Sequence, residues 1–412
     1  MPLVNMKDML LHAYENGYAV GAFDLVGLDF LPAILAAAES ARAPVVLSVT
    51  ETVWAESDRD WVLAAVEMAA RQASVPVAVH WDGGTSVTSA VRAIRMGANS
   101  IMVASGRESL SRNMEQTRAV VDMAHACGVP VEGELGYVPD ADSDEDGTRD
   151  AARYTTVAEA KGFVERTGVD CLAVSIGTAY GRAREKFKLD WGRLKEINAA
   201  LKMPLVIHGG TGLNDQQCRK LIMLGVAKIH YRAGLNDAAG GRLRDNVRRN
   251  RSAGYSHLQA GIREAVMSEV EPRLRAWGSA GRAAEVLTRC RPWLDVERVV
   301  VYNAPDLSED QLRLLMMEGQ RVFSGIPGVR AVRAGSVVEK STRYRHCWLV
   351  RLVSAAAVAG FRQHPAQIAF TDRRFGPVAF DRIVADYHVV DDMPSAAVLP
   401  ISMAPRVNSE SV

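Results

Sequence analysis

Polar side chains of chemically useful kinds stand at the ends of short apolar runs along this chain: Asp24, Thr50, Glu51, Asp82, Glu134, Tyr180, His208, His230 and Arg232. Carboxylates and imidazoles so placed can move protons or ligate a cation, and a guanidinium can grip an anion through two parallel hydrogen bonds. Gly209, Gly210, Thr211 and Gly212 add a loop whose backbone N–H groups, leading into a helix, can receive a phosphate or carboxylate. Lysines that would support imine chemistry are poorly placed. Lys228 begins the last run, away from the other candidates, and Lys186 and Lys188 fall in a loop.

Eight β-rich runs must position these residues: YAVGAF (18–23), APVVLSVT (43–50), PVAVHWD (76–82), SIMVA (100–104), PVEGELG (130–136), CLAVSIG (171–177), PLVIHGG (204–210) and KIHYR (228–232). Segments such as LDFLPAILAAAESA, with apolar residues at helical spacing, lie between them. The alternation predicts a TIM (β/α)8 barrel over residues 1–285, in which chemistry belongs to the C-terminal strand ends and the loops after them. A doubly wound open sheet is the alternative, but no glycine-rich dinucleotide fingerprint follows the first run. Beyond it the order becomes strand, capped helix from Ser308, two strands, a second helix over 354–375 and a closing strand. That order predicts a ferredoxin-like α+β domain over 293–392, followed by a flexible Pro-, Ser- and Ala-rich tail, 393–412.

With 412 residues, 48% of them hydrophobic and 24% charged, the chain can bury two cores. A net charge of +1 leaves no basic field for nucleic acid. No apolar stretch exceeds strand length and no signal-like start is present, so a cytoplasmic protein without membrane contact is expected. Five scattered cysteines without a CxxC pair predict reduced thiols.

GYAVGAF, APVVLSV, HWDGG, VEGELG, VDCLAVSIGTAYG, KLDW and PLVIHGGTG together resemble, over roughly residues 1–240, the class II metal-dependent fructose- and tagatose-bisphosphate aldolases. YRHCWLVRL, HPAQIAF and VADYHV resemble the stress-responsive dimeric α/β-barrel domain. The first resemblance implies zinc on three histidines, yet Gly83 stands at the first ligand position and Tyr180 at the second, leaving His208. The expectation is therefore no cofactor and no metal. The alternative is zinc in a rearranged site of His208, His230 and Glu134.

The resemblance further implies that Asp82 and Glu145 transfer protons; without zinc, His208 and Tyr180 are expected to steady an oxyanion, with Glu134 in the same catalytic set. Asp24, Thr50, Gly209, Gly210, Thr211, His230, Arg232 and Trp81 are expected around the substrate. Trp54, Trp81, Tyr180 and Tyr231 predict an aromatic mouth. In the second domain, Phe361 and Gln367 replace the tyrosine and histidine that cyclases resembling it use. The implied activity is a metal-independent, aldolase-like lyase for a small carbonyl substrate bearing phosphate or carboxylate, in specialised metabolism. Alternatives are an isomerase, dehydratase or cyclase with the same acid–base pair, or a non-catalytic binding or scaffold protein. Both resemblances imply a homodimer.

Overall fold

The computed structural model describes residues 2–104, 108–136, 138, 154–179, 181, 188–339 and 341–389. Glu145, Tyr180 and the segment 393–412 lie outside the described residues. Eight parallel strands close into a barrel in sequence order. They are β1 (Val20–Asp24), β2 (Val45–Thr50), β3 (Val77–Gly84), β4 (Ser100–Val103), β5 (Val131–Leu135), β6 (Cys171–Val174), β7 (Leu205–Ile207) and β8 (Val226–Tyr231). Pairing of β1 with β8, Ala22 opposite His230, closes the ring. Most strand residues are buried because helices cover the outside and side chains fill the inside, which is why the runs read as continuously apolar. The helix Met6–Glu15, capped by the Asn5 side chain, packs Met6, Met9 and Leu10 against Val20, Val46 and Ala227. That helix shuts the N-terminal end of the barrel and leaves the C-terminal end for function.

The second domain is a four-stranded antiparallel sheet in the order β10-β11-β9-β12, built from β9 (Val296–Asn303), β10 (Val329–Ser336), β11 (His346–Leu352) and β12 (Phe380–His388). Helices cover one face, in the ferredoxin-like arrangement. The helix Glu309–Ser324 opens with a reciprocal capping box between Ser308 and Gln311. The expected single helix over 354–375 is broken: Ala355–Gln363 ends, and Pro365–Phe370 begins anew with His364 as its cap. Pro365 is the cause, since a proline excludes the helical conformation from its predecessor and sits well at a first helical position.

The two domains pack directly on one another. Arg95 donates to the carbonyls of Ser324 and Val329. The Ser354 hydroxyl donates to the Cys127 carbonyl at 2.6 Å. Arg330 meets Glu67 and Asp295, and Arg71 reaches Asp295 at 2.9 Å. All five cysteines are free thiols and four are buried. Among the described residues no helix is long and apolar enough to cross a membrane.

Candidate active site

Side chains alternate along a strand, so each barrel strand sends every second residue inward. β3 turns His80 and Asp82 inward, β5 turns in Glu132 and Glu134, and β8 turns in Lys228 and His230, as their mutual contacts show. Two polar layers result. In the lower one Lys228 Nζ meets Glu132 Oε2 at 2.6 Å, and His208 Nε2 lies 3.0 Å from Glu132 Oε1, all three buried. Burial alone would raise the Glu132 carboxyl, but Lys228 and the two histidines His208 and His80 hold it well below the usual carboxylate range. Burial works to lower His208, yet the Glu132 hydrogen bond and charge leave it raised. His80 is pushed well down by burial and by Lys228, so its ring is neutral.

The upper layer faces a cavity of about 480 Å³ bordered by Asp24, Thr50, Asp82, Gly83, Glu134, Gly209, Thr211, His230 and Arg232. His230 Nε2 lies 2.7 Å from Asp24 Oδ1. Burial favours a neutral Asp24, but His230, Ser48 and Arg232 around it keep its carboxyl below the ordinary value. An ionised Asp24 can only accept, so His230 Nε2 carries the hydrogen of this contact and Nδ1 is the ring nitrogen turned away from it. Thr50, opposite Asp82 in the strand register, holds its hydroxyl 3.3 Å from both Asp24 Oδ1 and Asp82 Oδ2. Among the described residues, Asp82 Oδ1 and His230 Nδ1 are buried without a hydrogen-bond partner. Asp82, His208 and His230 each place a potential ligand atom within 4.8 Å of the others.

Zinc takes three protein ligands and keeps a position open in catalytic sites, and two histidines with one carboxylate are a donor set that suits it. The residues present thus fit the metal that the class II resemblance implies. They do so at positions other than those expected to be lost, so the expected absence of a cofactor is not carried forward. Gly83 has φ +67°, a left-handed conformation in which a histidine would be strained.

At the other side of the cavity, Gly209 has φ +76° and a Cβ there would lie 2.3 Å from the Ala179 carbonyl oxygen, so the turn tolerates only glycine. Thr211 Oγ1 accepts from Gly234 N at 3.4 Å and joins this turn to the start of the helix Ala233–Arg249. The helix after the turn, Asp215–Met223, is already capped by Asn214. Anion-binding capacity therefore rests on the turn itself and on Arg232, which is exposed at the cavity edge and forms no ion pair among the described residues.

Three aromatic residues expected at the mouth lie elsewhere. Trp81 points out of the barrel and its indole donates to Ser89 Oγ at 3.2 Å. Tyr231 also points outward, packing on Phe23 and Trp277 and donating to Glu269. Trp54 packs against the hydrophobic core. The period of two decides the first pair: next to inward Asp82 and His230, residues 81 and 231 must face the helices. Among the described residues, no Trp, Tyr or Phe lines the cavity. Glu132, absent from the sequence-based set, was legible by the same rule, standing two residues before Glu134.

Residues 4–282 match the family described as fructose-bisphosphate aldolase class-II, and residues 296–389 match the stress responsive A/B barrel domain. This chain belongs to the class II fructose-bisphosphate aldolase family. The fructose-bisphosphate aldolase of Staphylococcus epidermidis is 36% identical over 287 residues, which is 69% of this chain and all of the relative. That of Staphylococcus aureus is 34% identical over the same length. The crystal structure of the YdjI aldolase from Escherichia coli K12 superposes with a TM-score of 0.61 at 31% identity, covering 68% of this chain and 99% of that one. The second domain lies beyond the part these relatives share, and the family supports a lyase.

Proposed function

We propose that this protein is an aldolase-type carbon–carbon lyase acting on a small carbonyl compound with an anionic end. The observation that supports this most is the convergence of the buried donors Asp82, His208 and His230 with the 209–212 turn and Arg232 around one mouth. Breaking the bond next to a carbonyl leaves an enolate, and the reaction then needs a positive pole at the oxygen and a carboxylate that exchanges protons with carbon or hydroxyl. A divalent cation, when bound, supplies that pole by polarising the carbonyl. Asp82, His208 and His230 are the residues that would hold it. Glu134, its side chain 12% exposed beside His208, and Asp82 are the described carboxylates that share proton transfer. Glu145 and Tyr180 enter this reading on their motif positions alone.

The substrate is read as different from the relatives' bisphosphate. An Asp24–His230 pair and Arg232 stand at the ends of β1 and β8, where the family resemblance expects an asparagine and a threonine or serine at the last strand. This reading places the enzyme in specialised metabolism. A homodimer completes it, formed across the open face of the second sheet, where Ile383, Tyr387, Val299, Val301 and Leu349 are left partly or wholly exposed. Sedimentation of the full chain tests that pairing.

The activity is tested by incubating the full chain in D2O with phosphorylated ketones and 2-oxo acids, then reading deuterium at the carbon beside the carbonyl by NMR. Exchange, followed by adduct formation when an aldehyde is added, is the expected outcome. Failure with every ketone and oxo acid, in folded protein supplied with divalent metal, would sink the lyase reading.

A further inference from the structure

We infer that the divalent cation of this barrel is held by a relocated ligand set, Asp82, His208 and His230, of which only His208 coincides with a ligand position implied by the family motif. The inference deepens the lyase reading and rests on it only for the use made of the metal. Its basis is a hydrogen-bonding deficit. Buried polar atoms in folded proteins are almost always satisfied, and an unmet one calls for a missing partner. Asp82 is 7% exposed and His230 4% exposed, yet among the described residues neither Oδ1 of the first nor Nδ1 of the second has a hydrogen-bond partner, the nearest charge contact of Oδ1 being His80 Nε2 at 4.0 Å. Both border the cavity, and both stand within ligand-sharing distance of His208.

The outer contacts follow the pattern of histidine ligands, which give their second ring nitrogen to a carboxylate that fixes tautomer and orientation. Asp24 takes His230 Nε2–H at 2.7 Å, which leaves Nδ1 as the coordinating nitrogen. Glu132, fixed in turn by Lys228, lies against His208 at 3.0 Å. Thr50 Oγ1, 3.3 Å from Asp82 Oδ2, leaves Oδ1 for the cation. The sequence changes are then mutually consistent. Glycine at position 83 and the loss of histidine at 180 remove two expected ligands, while histidine at 230 adds one and Asp24 orients it. Asp82 then serves the cation through Oδ1 as well as the proton transfer that it shares with Glu134.

The test uses chelator-stripped, full-length protein titrated with Co2+ in the absence of substrate, read by calorimetry and by the visible d–d absorption of the bound ion. One equivalent per chain with a low-symmetry spectrum is expected. Asp82→Asn and His230→Gln, shown folded by circular dichroism, should each lose the spectrum, and Asp24→Asn should weaken binding about 10- to 100-fold. No uptake by folded wild-type protein would overturn the site. So would binding that survives Asp82→Asn and His230→Gln but is lost in Glu134→Gln, which would assign a different ligand set. Because uptake is read without turnover, its failure is separable from that of the lyase reading. Deuterium exchange by metal-free protein would leave the lyase and remove the cation from it.

Discussion

Arg298 in the second domain gives Nε and Nη2 to the two oxygens of Asp386 at 2.8 and 2.9 Å, whereas at the barrel mouth Asp82 Oδ1 and His230 Nδ1 are left without a hydrogen bond among the described residues. Around Arg298 the neighbourhood is aromatic: Phe323 packs edge-on against Trp348, Phe361 and Phe370 with centroids 5.2 to 5.6 Å apart. A charge pair completed within the protein specifies a fold. An incomplete cluster at the end of a barrel has capacity left for a ligand. Phe361 and Gln367 border a cavity in the second domain whose described lining holds no carboxylate or histidine.

The sharpest way to break this contrast is Asp82→Ala, for which turnover should fall about 10²- to 10⁴-fold with little change in melting temperature. Steady-state kinetics beside calorimetric melting would show it. Unchanged turnover would reduce Asp82 to a structural role like that of Asp386. Next in size is Lys228→Met in the lower layer, where a completed pair sits directly beneath the incomplete one. Removing the lysine strands a buried Glu132 and should cost about 3–5 kcal/mol in urea denaturation. A loss below about 1 kcal/mol would mean that the histidines alone satisfy Glu132.

Arg232→Ala sharpens the comparison from the substrate side. Loss of a charge-assisted bond to an anion should raise KM about tenfold or more while kcat stays nearly constant. An equal fall in kcat and kcat/KM would instead place Arg232 against the transition state. The smallest effect is that of Asp386→Asn. Its hydrogen bond to Arg298, outweighing partial burial, lowers the Asp386 carboxyl, so the pair adds stability above the unfolded value of 3.8 and loses it as pH falls through the folded value. Melts of the variant and the wild type should differ by about 1 kcal/mol or less near neutrality and converge in acid. A gap that persists at low pH would show that packing, not charge, is what the substitution disturbs.

Much of the barrel was legible because its strands are buried on both faces and read as short apolar runs between helical segments. Asp24, Asp82, Glu134, His208 and His230 were legible as polar groups interrupting those runs at their ends. Trp81 and Tyr231 adjoin Asp82 and His230 in sequence, but the alternation along β3 and β8 turns them outward, to Ser89 and Glu269. The break at Pro365 was available from the proline itself, but the apolar spacing on both sides reads as continuous.

By itself the sequence determined the architecture of both domains, the polar residues that stand at the strand ends, and the presence of glycine at 83 and tyrosine at 180, since periodicity and local residue identity are properties of the chain. Only the tertiary structure decided which of those polar side chains meet. Asp24 and His230 stand 206 positions apart, and Glu132 and Lys228 stand 96 apart. They meet because the barrel closes β1 on β8 and turns alternate side chains into a common interior, a relation between strands that no spacing along one strand encodes.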